Sequence, residues 1–239
     1  LLTGFGEPCG RALTSHPMVS KVAFTGGVDT ARQIVASTAL NLAPVSLELG
    51  GKSPILVFDD ADLDGAVNGA IAGNFGASGQ SCVAGSRVLV QAGMHDRFIS
   101  ELVERAEAIR IGDPLDDDSQ MGPLATRAQR DRIEAVVAES IAQGAVLHTG
   151  GARPEGLDAG WYYRPTVLGC ANQDVACTRI ELFGPVMSVL SFETEAEGVA
   201  MANDTEFGLA AGIFSSDASR VHRVARSVRA GIVWVNTYR

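Results

Sequence analysis

A cysteine and a glutamate supply the covalent and acid–base chemistry that this sequence offers most openly. Cys82 sits in Gly76-Ala77-Ser78-Gly79-Gln80-Ser81-Cys82-Val83-Ala84-Gly85-Ser86, just before the apolar Val88-Leu89-Val90. Glycines let a backbone turn tightly and approach a ligand closely, and no bulky neighbour in the run shields the thiol. The thiolate is the nucleophilic form of cysteine, and peptide N–H groups of such a loop can converge on the oxygen of a carbonyl under attack. An inert, buried cysteine is the simpler reading of this loop taken alone. Glu48 lies upstream in Val45-Ser46-Leu47-Glu48-Leu49-Gly50-Gly51-Lys52-Ser53-Pro54. Strand alternation groups Val45, Leu47 and Leu49 on one face and Glu48 with Ser46 on the other. A general base and an ordinary solvent-facing carboxylate are both open.

The elements that must carry these residues follow from hydrophobic periodicity. Residues 22–25 read as a short buried strand, Gly26-Gly27 as its exit turn, and 30–42 as a helix. A strand turning through glycines into a helix leaves unpaired N–H groups and a positive dipole end, which suit a pyrophosphate. An ordinary βα connection has the same appearance. Gly4, Gly6 and Gly10 miss the dinucleotide spacing by one residue and read as a turn. Further strands are expected at 55–58, 87–91, 166–168, 187–192, 211–214 and 232–235. Helices are expected at 63–75, 95–110, 126–143, 195–202 and 218–228. In the helix at 126–143, Ile133, Val136, Val137 and Ile141 form the apolar side. Arg130, Asp131, Arg132 and Glu134 form a solvated one, and Gly144 is the stop. Residues 150–164, rich in Gly, Pro and aromatics, read as a loop. This alternation predicts a largely parallel α/β architecture with right-handed crossovers. The boundary falls at Gly50-Gly51, dividing the chain into 1–50 and 51–239.

Bulk properties narrow the function. Of 239 residues, 46% are hydrophobic and 20% charged, enough for a substantial core. The net charge of −9 leaves no basic stripe to neutralise phosphates, so nucleic acid is not the expected partner. No apolar run reaches the roughly 20 residues of a membrane span, and no secretory signal pattern opens the chain. Cys9, Cys82, Cys170 and Cys177 lack CxxC spacing and the histidines are scattered, so no metal site is expected. A reducing cytoplasm is the expected compartment. The aspartates at 113 and 116–118 read as a solvated turn.

Taken together, the Glu48 and Cys82 runs resemble the active-site motifs of the aldehyde dehydrogenase superfamily. The resemblance extends from Leu1 to Arg239. It includes Phe24-Thr25-Gly26-Gly27, Glu181-Leu182-Phe183-Gly184-Pro185 and Trp234-Val235-Asn236-Thr237, in the family's order. It implies the end of a Rossmann-type nucleotide-binding domain over 1–50, then an α/β catalytic domain over 51–239. The implied reaction is NAD- or NADP-dependent oxidation of a small-molecule aldehyde to a carboxylic acid through a cysteine thiohemiacetal and thioester. Cys82 would be the nucleophile and Glu48 the base. Gly26, Gly27, Leu49, Glu181 and Phe183 would contact the cofactor. Two positions depart from the pattern: Gly27 stands where many members have serine, and Ala31 where many have glycine. The resemblance also implies a homodimer or homotetramer. The family's oxyanion-hole asparagine, adenosine-side lysine and closing Phe-Gly-Gly loop lie outside these residues, so the chain reads as the second half of such an enzyme, inactive alone. Two other readings stay open. One is a relative that passes the acyl group to coenzyme A or phosphate; many of these lack a glutamate at the position of Glu48. The other is a non-catalytic fragment or pseudoenzyme.

Overall fold

The runs at 55–58, 87–91 and 186–192 carry apolar residues at consecutive positions, the pattern of strands covered on both faces. In the computed structural model, which describes residues 1–238, these runs lie side by side at the centre of a seven-stranded sheet. The chain divides into two compact units, Leu1–Gly50 and Gly51–Arg239.

The first unit is small. After a turn at Gly6–Gly10 come helix α1 (Arg11–Thr14), strand β1 (Val22–Gly26), helix α2 (Val28–Thr38) and strand β2 (Val45–Leu49). The two strands pair in parallel, from Val22 opposite Val45 to Gly26 opposite Leu49. Helix α2 starts and stops earlier than its apolar spacing predicts. Gly27, extended at φ −78° and ψ 153°, caps its start. Past its end Leu42 takes φ +56°, and Pro44 disfavours helix in the residue before it.

The second unit runs β3 (Pro54–Val57), α3 (Leu63–Phe75), β4 (Arg87–Gln91), α4 (Ala92–Glu107), α5 (Arg127–Ala142), β5 (Val146–Thr149) and β6 (Thr166–Gly169). It continues with α6 (Ala176–Arg179), β7 (Val186–Phe192), α7 (Glu195–Asn203), β8 (Ala210–Phe214), α8 (Ala218–Ser227) and β9 (Ile232–Val235). The strand order is β5-β6-β7-β4-β3-β8-β9. Every pairing is parallel except the β5–β6 edge. Strand β5 and helix α6 were not expected from the sequence. Alternate residues of each central strand feed two cores. Leu56, Leu89, Leu190 and Phe192 pack on the side that includes Ile133, Val137 and Val224. Ile55, Val57, Val88, Val90 and Val189 pack with Val67, Phe98 and Leu102. Each such side chain contributes roughly 1.5–3 kcal/mol by leaving water.

Helix starts in this unit are capped as their sequences suggest. Asp62 accepts from Gly65 N–H, Thr126 from Gln129, Thr194 from Glu197, and Asp217 from Ser219 and Arg220. Gly144 has φ +101°, the left-handed stop expected after α5. Each side of α5 needs one correction. Arg130 is buried, because its guanidinium pairs with Asp131 at 2.9 Å and lies 5.2 Å from the centre of the Trp161 ring. Ile141, expected on the apolar side, is exposed. Tyr162 and Tyr163, from the aromatic loop, are buried.

Candidate active site

The first unit gathers its candidates at one end of its two strands. Thr25 lies opposite Glu48 and Gly26 opposite Leu49. Gly26, Gly27, Glu48 and Leu49 therefore share the carboxyl end of the parallel pair, the end at which open α/β sheets hold ligands. Glu48 is exposed within β2. Gly27 caps α2 without a side-chain bond, and the space a Cβ would fill there is open. The amides of Val28, Asp29 and Thr30 precede the first intrahelical bond, from Ala31 N–H to Gly27 O at 3.0 Å. Such an unshielded row of N–H groups fits a phosphate through backbone alone. Asp29, the acidic residue of that first turn, is paired with Arg32 at 2.9 Å.

The second unit brings the cysteine loop against the Glu181–Pro185 loop. Cys82 is half-buried in a turn between α3 and β4. Ahead of it the chain makes a tight coil in which Ala77, Ser78 and Gly79 all take left-handed φ, at +51°, +54° and +71°. Ser78 Oγ–H donates to Gly122 O at 2.9 Å, and Gln80 Oε1 accepts from Ala125 N–H at 2.9 Å. Those bonds offset the cost of left-handed backbone at two non-glycine residues. Gly79 has a further reason to be glycine: a Cβ there would fall 2.1 Å from the carbonyl carbon and oxygen of Gly184. Two loops a hundred residues apart thus meet backbone to backbone. Gly51 likewise approaches the Cys82 carbonyl, which would lie 2.9 Å from a Cβ on it.

Glu181 and Phe183 are set by this contact. Glu181 is half-buried, and its Oε1 accepts from Gly51 N–H at 3.2 Å. Burial raises its pKa, while the Gly51 amide, Lys52 and Arg132 oppose the shift. Arg132 also donates to the Glu181 carbonyl at 3.0 Å. Phe183 takes φ +51° and keeps 37% of its surface exposed. Gln129 Nε2–H donates to the carbonyls of both Leu182 and Phe183, which fixes that turn. Gln129 and Gln80 were not singled out from sequence; each looks like an ordinary polar residue on a helix or loop. Lys52 was read only as part of a motif, yet it is 1% exposed, and its Nζ has no hydrogen-bond partner among the described residues. Burial pulls its pKa down to about 8, with Arg87 adding to the effect. Arg87 is itself buried in β4 and donates to Gln173 Oε1 and to the carbonyls of Met201 and Ala202 at 2.6–2.7 Å.

A family model described as "Aldehyde dehydrogenase family" matches residues 1–239. The chain belongs to the aldehyde dehydrogenase family. It is 52% identical over 240 residues to (Z)-2-((N-methylformamido)methylene)-5-hydroxybutyrolactone dehydrogenase of Acinetobacter baylyi, covering all of this chain and 49% of that one. It is 49% identical to betaine aldehyde dehydrogenase of Brucella anthropi, with the same coverage. Betaine aldehyde dehydrogenase of Staphylococcus aureus, solved with NAD+, superposes at a TM-score of 0.97 and 39% identity over all of this chain and 48% of that one. This aldehyde dehydrogenase chain thus spans about half the length of the curated relatives it matches. Among its described residues, no helix is long and apolar enough to cross a membrane, and no group of three potential metal ligands occurs.

Proposed function

We propose that this chain supplies the thiol, the base and part of the cofactor cradle of an NAD- or NADP-dependent enzyme that oxidises an aldehyde to a carboxylic acid. The observation that carries the reading is the backbone contact of Gly79 with Gly184, which sets the Cys82 loop beside the turn that presents Glu181 and Phe183. The thiolate of Cys82 adds to the aldehyde carbonyl, and the Cys82 N–H steadies the oxyanion of the thiohemiacetal. When bound, the nicotinamide cofactor supplies the acceptor for the hydride that leaves the thiohemiacetal carbon. A thioester on Cys82 remains, and Glu48 takes a proton from the water that hydrolyses it. Glu181 would hold the nicotinamide ribose, Phe183 would pack the ring, Leu49 would contact the cofactor, and the amides after Gly26-Gly27 would hold the pyrophosphate. The compartment we expect is a reducing one, the cytoplasm. A homodimer or homotetramer is the assembly we expect.

The 239-residue chain expressed alone should give little NADH or NADPH with short or aromatic aldehydes. Sustained turnover by it would show that the stretches its relatives carry beyond this half are dispensable. Conversely, these residues grafted in place of the matched stretch of the 52%-identical Acinetobacter protein should give an enzyme that reduces NAD or NADP in the presence of an aldehyde. A folded graft that reduces neither cofactor with any of a broad aldehyde panel would overturn the reading.

A further inference from the structure

Away from the Cys82 loop, the larger core holds two thiols and an ammonium where apolar groups would pack more cheaply. Cys170 leaves the end of β6 and Cys177 lies in α6, with their Sγ atoms 3.5 Å apart. Both backbones are pinned. Cys170 N–H donates to Val189 O at 2.8 Å, and Cys177 N–H donates to Ser140 Oγ at 2.9 Å. Ser140 is itself fixed by donating to Val136 O at 2.7 Å. The buried charge of Lys52 acts on both sulfurs. Cys177 is fully buried, whereas Cys170 keeps 8% of its surface accessible.

We propose that Cys170 and Cys177 are a reactive dithiol that a hydroperoxide closes to an intramolecular disulfide, with Lys52 as the activating cation. Loss of one proton from the pair leaves the two sulfurs sharing a single charge across the 3.5 Å contact. The hydrogen bond from Cys170 brings Cys177 down to about 7 against the cost of burial, with Ser140 and then the nearby ammonium adding to the effect, and the same hydrogen bond pushes Cys170 up. Proton exchange along the S–H···S contact lets the accessible sulfur carry the charge. The Cys170 thiolate attacks one oxygen of hydrogen peroxide, the O–O bond breaks, and hydroxide leaves and is protonated to water. The Cys177 sulfur then attacks the Cys170 sulfenic acid, the S–O bond breaks, and a second water leaves. Two thiols lose two hydrogens and two electrons while one peroxide becomes two waters. Closure takes the thiolate from Lys52, whose remaining anionic neighbour is Glu181.

The test treats the folded chain with hydrogen peroxide, quenches with iodoacetamide in denaturant, and maps the cysteines by mass. Trypsin leaves both residues in one peptide, because no lysine or arginine lies between them; cleavage before Asp174 separates them. The expected product is a Cys170–Cys177 peptide pair that dithiothreitol separates. Lys52→Met should slow its formation about tenfold through the smaller thiolate fraction. In Cys177→Ser, which keeps Lys52 and removes the resolving sulfur, Cys170 should give a dimedone adduct after peroxide. Cys170 and Cys177 both alkylated after Cys82 is fully oxidised would overturn the proposal. So would formation at an unchanged rate in a folded Lys52→Met variant, or a folded Cys177→Ser protein with no adduct at Cys170.

Discussion

The two units are built to different standards. In Gly51–Arg239 the central strands are buried on both faces and flanked by two cores. In Leu1–Gly50 neither strand has a buried residue, and the buried side chains are Thr14, Ala31, Thr38 and Ala43. A two-stranded unit with so little apolar burial has low local stability. The contrast separates the candidate chemistry by support. The thiol lies on the unit whose central strands are buried on both faces, while the candidate base and phosphate turn lie on the unit whose two strands carry no buried residue. Substitutions at Cys82 or Glu48 should therefore act on turnover, and substitutions in the tightly packed loops of the larger unit should act on stability.

The largest effect is expected at the thiol. In the active graft, Cys82→Ala should abolish NAD(P)H formation, while alanine at Cys9, Cys170 or Cys177 should keep most of it. Appreciable oxidation by the Cys82 variant removes the nucleophile from the larger unit. Next, Glu48→Gln preserves shape and removes the base, so turnover should drop by roughly 10²–10⁴-fold. Because Glu48 is exposed within its own unit, the thermal midpoint should hardly move; a large drop with normal turnover of the folded fraction would make Glu48 structural. Third, Gly79→Ala forces a Cβ onto the Gly184 backbone at φ +71°, and should destabilise the larger unit by about 3 kcal/mol in urea unfolding. A loss below about 0.5 kcal/mol would show that the two loops are not held together there.

The smallest effect concerns Lys52. Its folded pKa of about 8 lies below the ordinary lysine value of 10.5, so the unfolded chain binds more protons between those values and stability rises with pH across that window. In a Cys170→Ser, Cys177→Ser background, which removes thiol titration from the same range, the gain from pH 8 to 10.5 should be on the order of 1–3 kcal/mol. Lys52→Met should flatten it. Equal slopes in the two proteins would mean that Lys52 reaches water.

The larger elements were legible because their patterns are long. Leu63–Phe75, Arg87–Gln91 and Ile232–Val235 stand where periodicity puts them. Strand β5 was not, since Val146-Leu147-His148-Thr149 is short, follows a helix stop directly, and exposes its first three residues at an edge. Helix α6 is a four-residue turn with no period to detect. Arg130 reads as a surface charge until the ring of Trp161, distant in sequence, covers it. The Cys82 and Glu181 loops announce themselves by composition, but their meeting through Gly79 and Gly184 depends on strand order, which no local pattern encodes. The Cys170–Cys177–Lys52 group is hidden for the same reason: its members come from three separate segments.

The Cys82 loop also has a history in time. The Val83 carbonyl accepts a 2.8 Å hydrogen bond from the Tyr238 hydroxyl, 155 residues further along the chain. At roughly 5–20 residues per second of synthesis, about 8–30 s separate the two on the ribosome. The hydrogen bond that ties the Cys82 loop to Tyr238 forms only after that residue has been added.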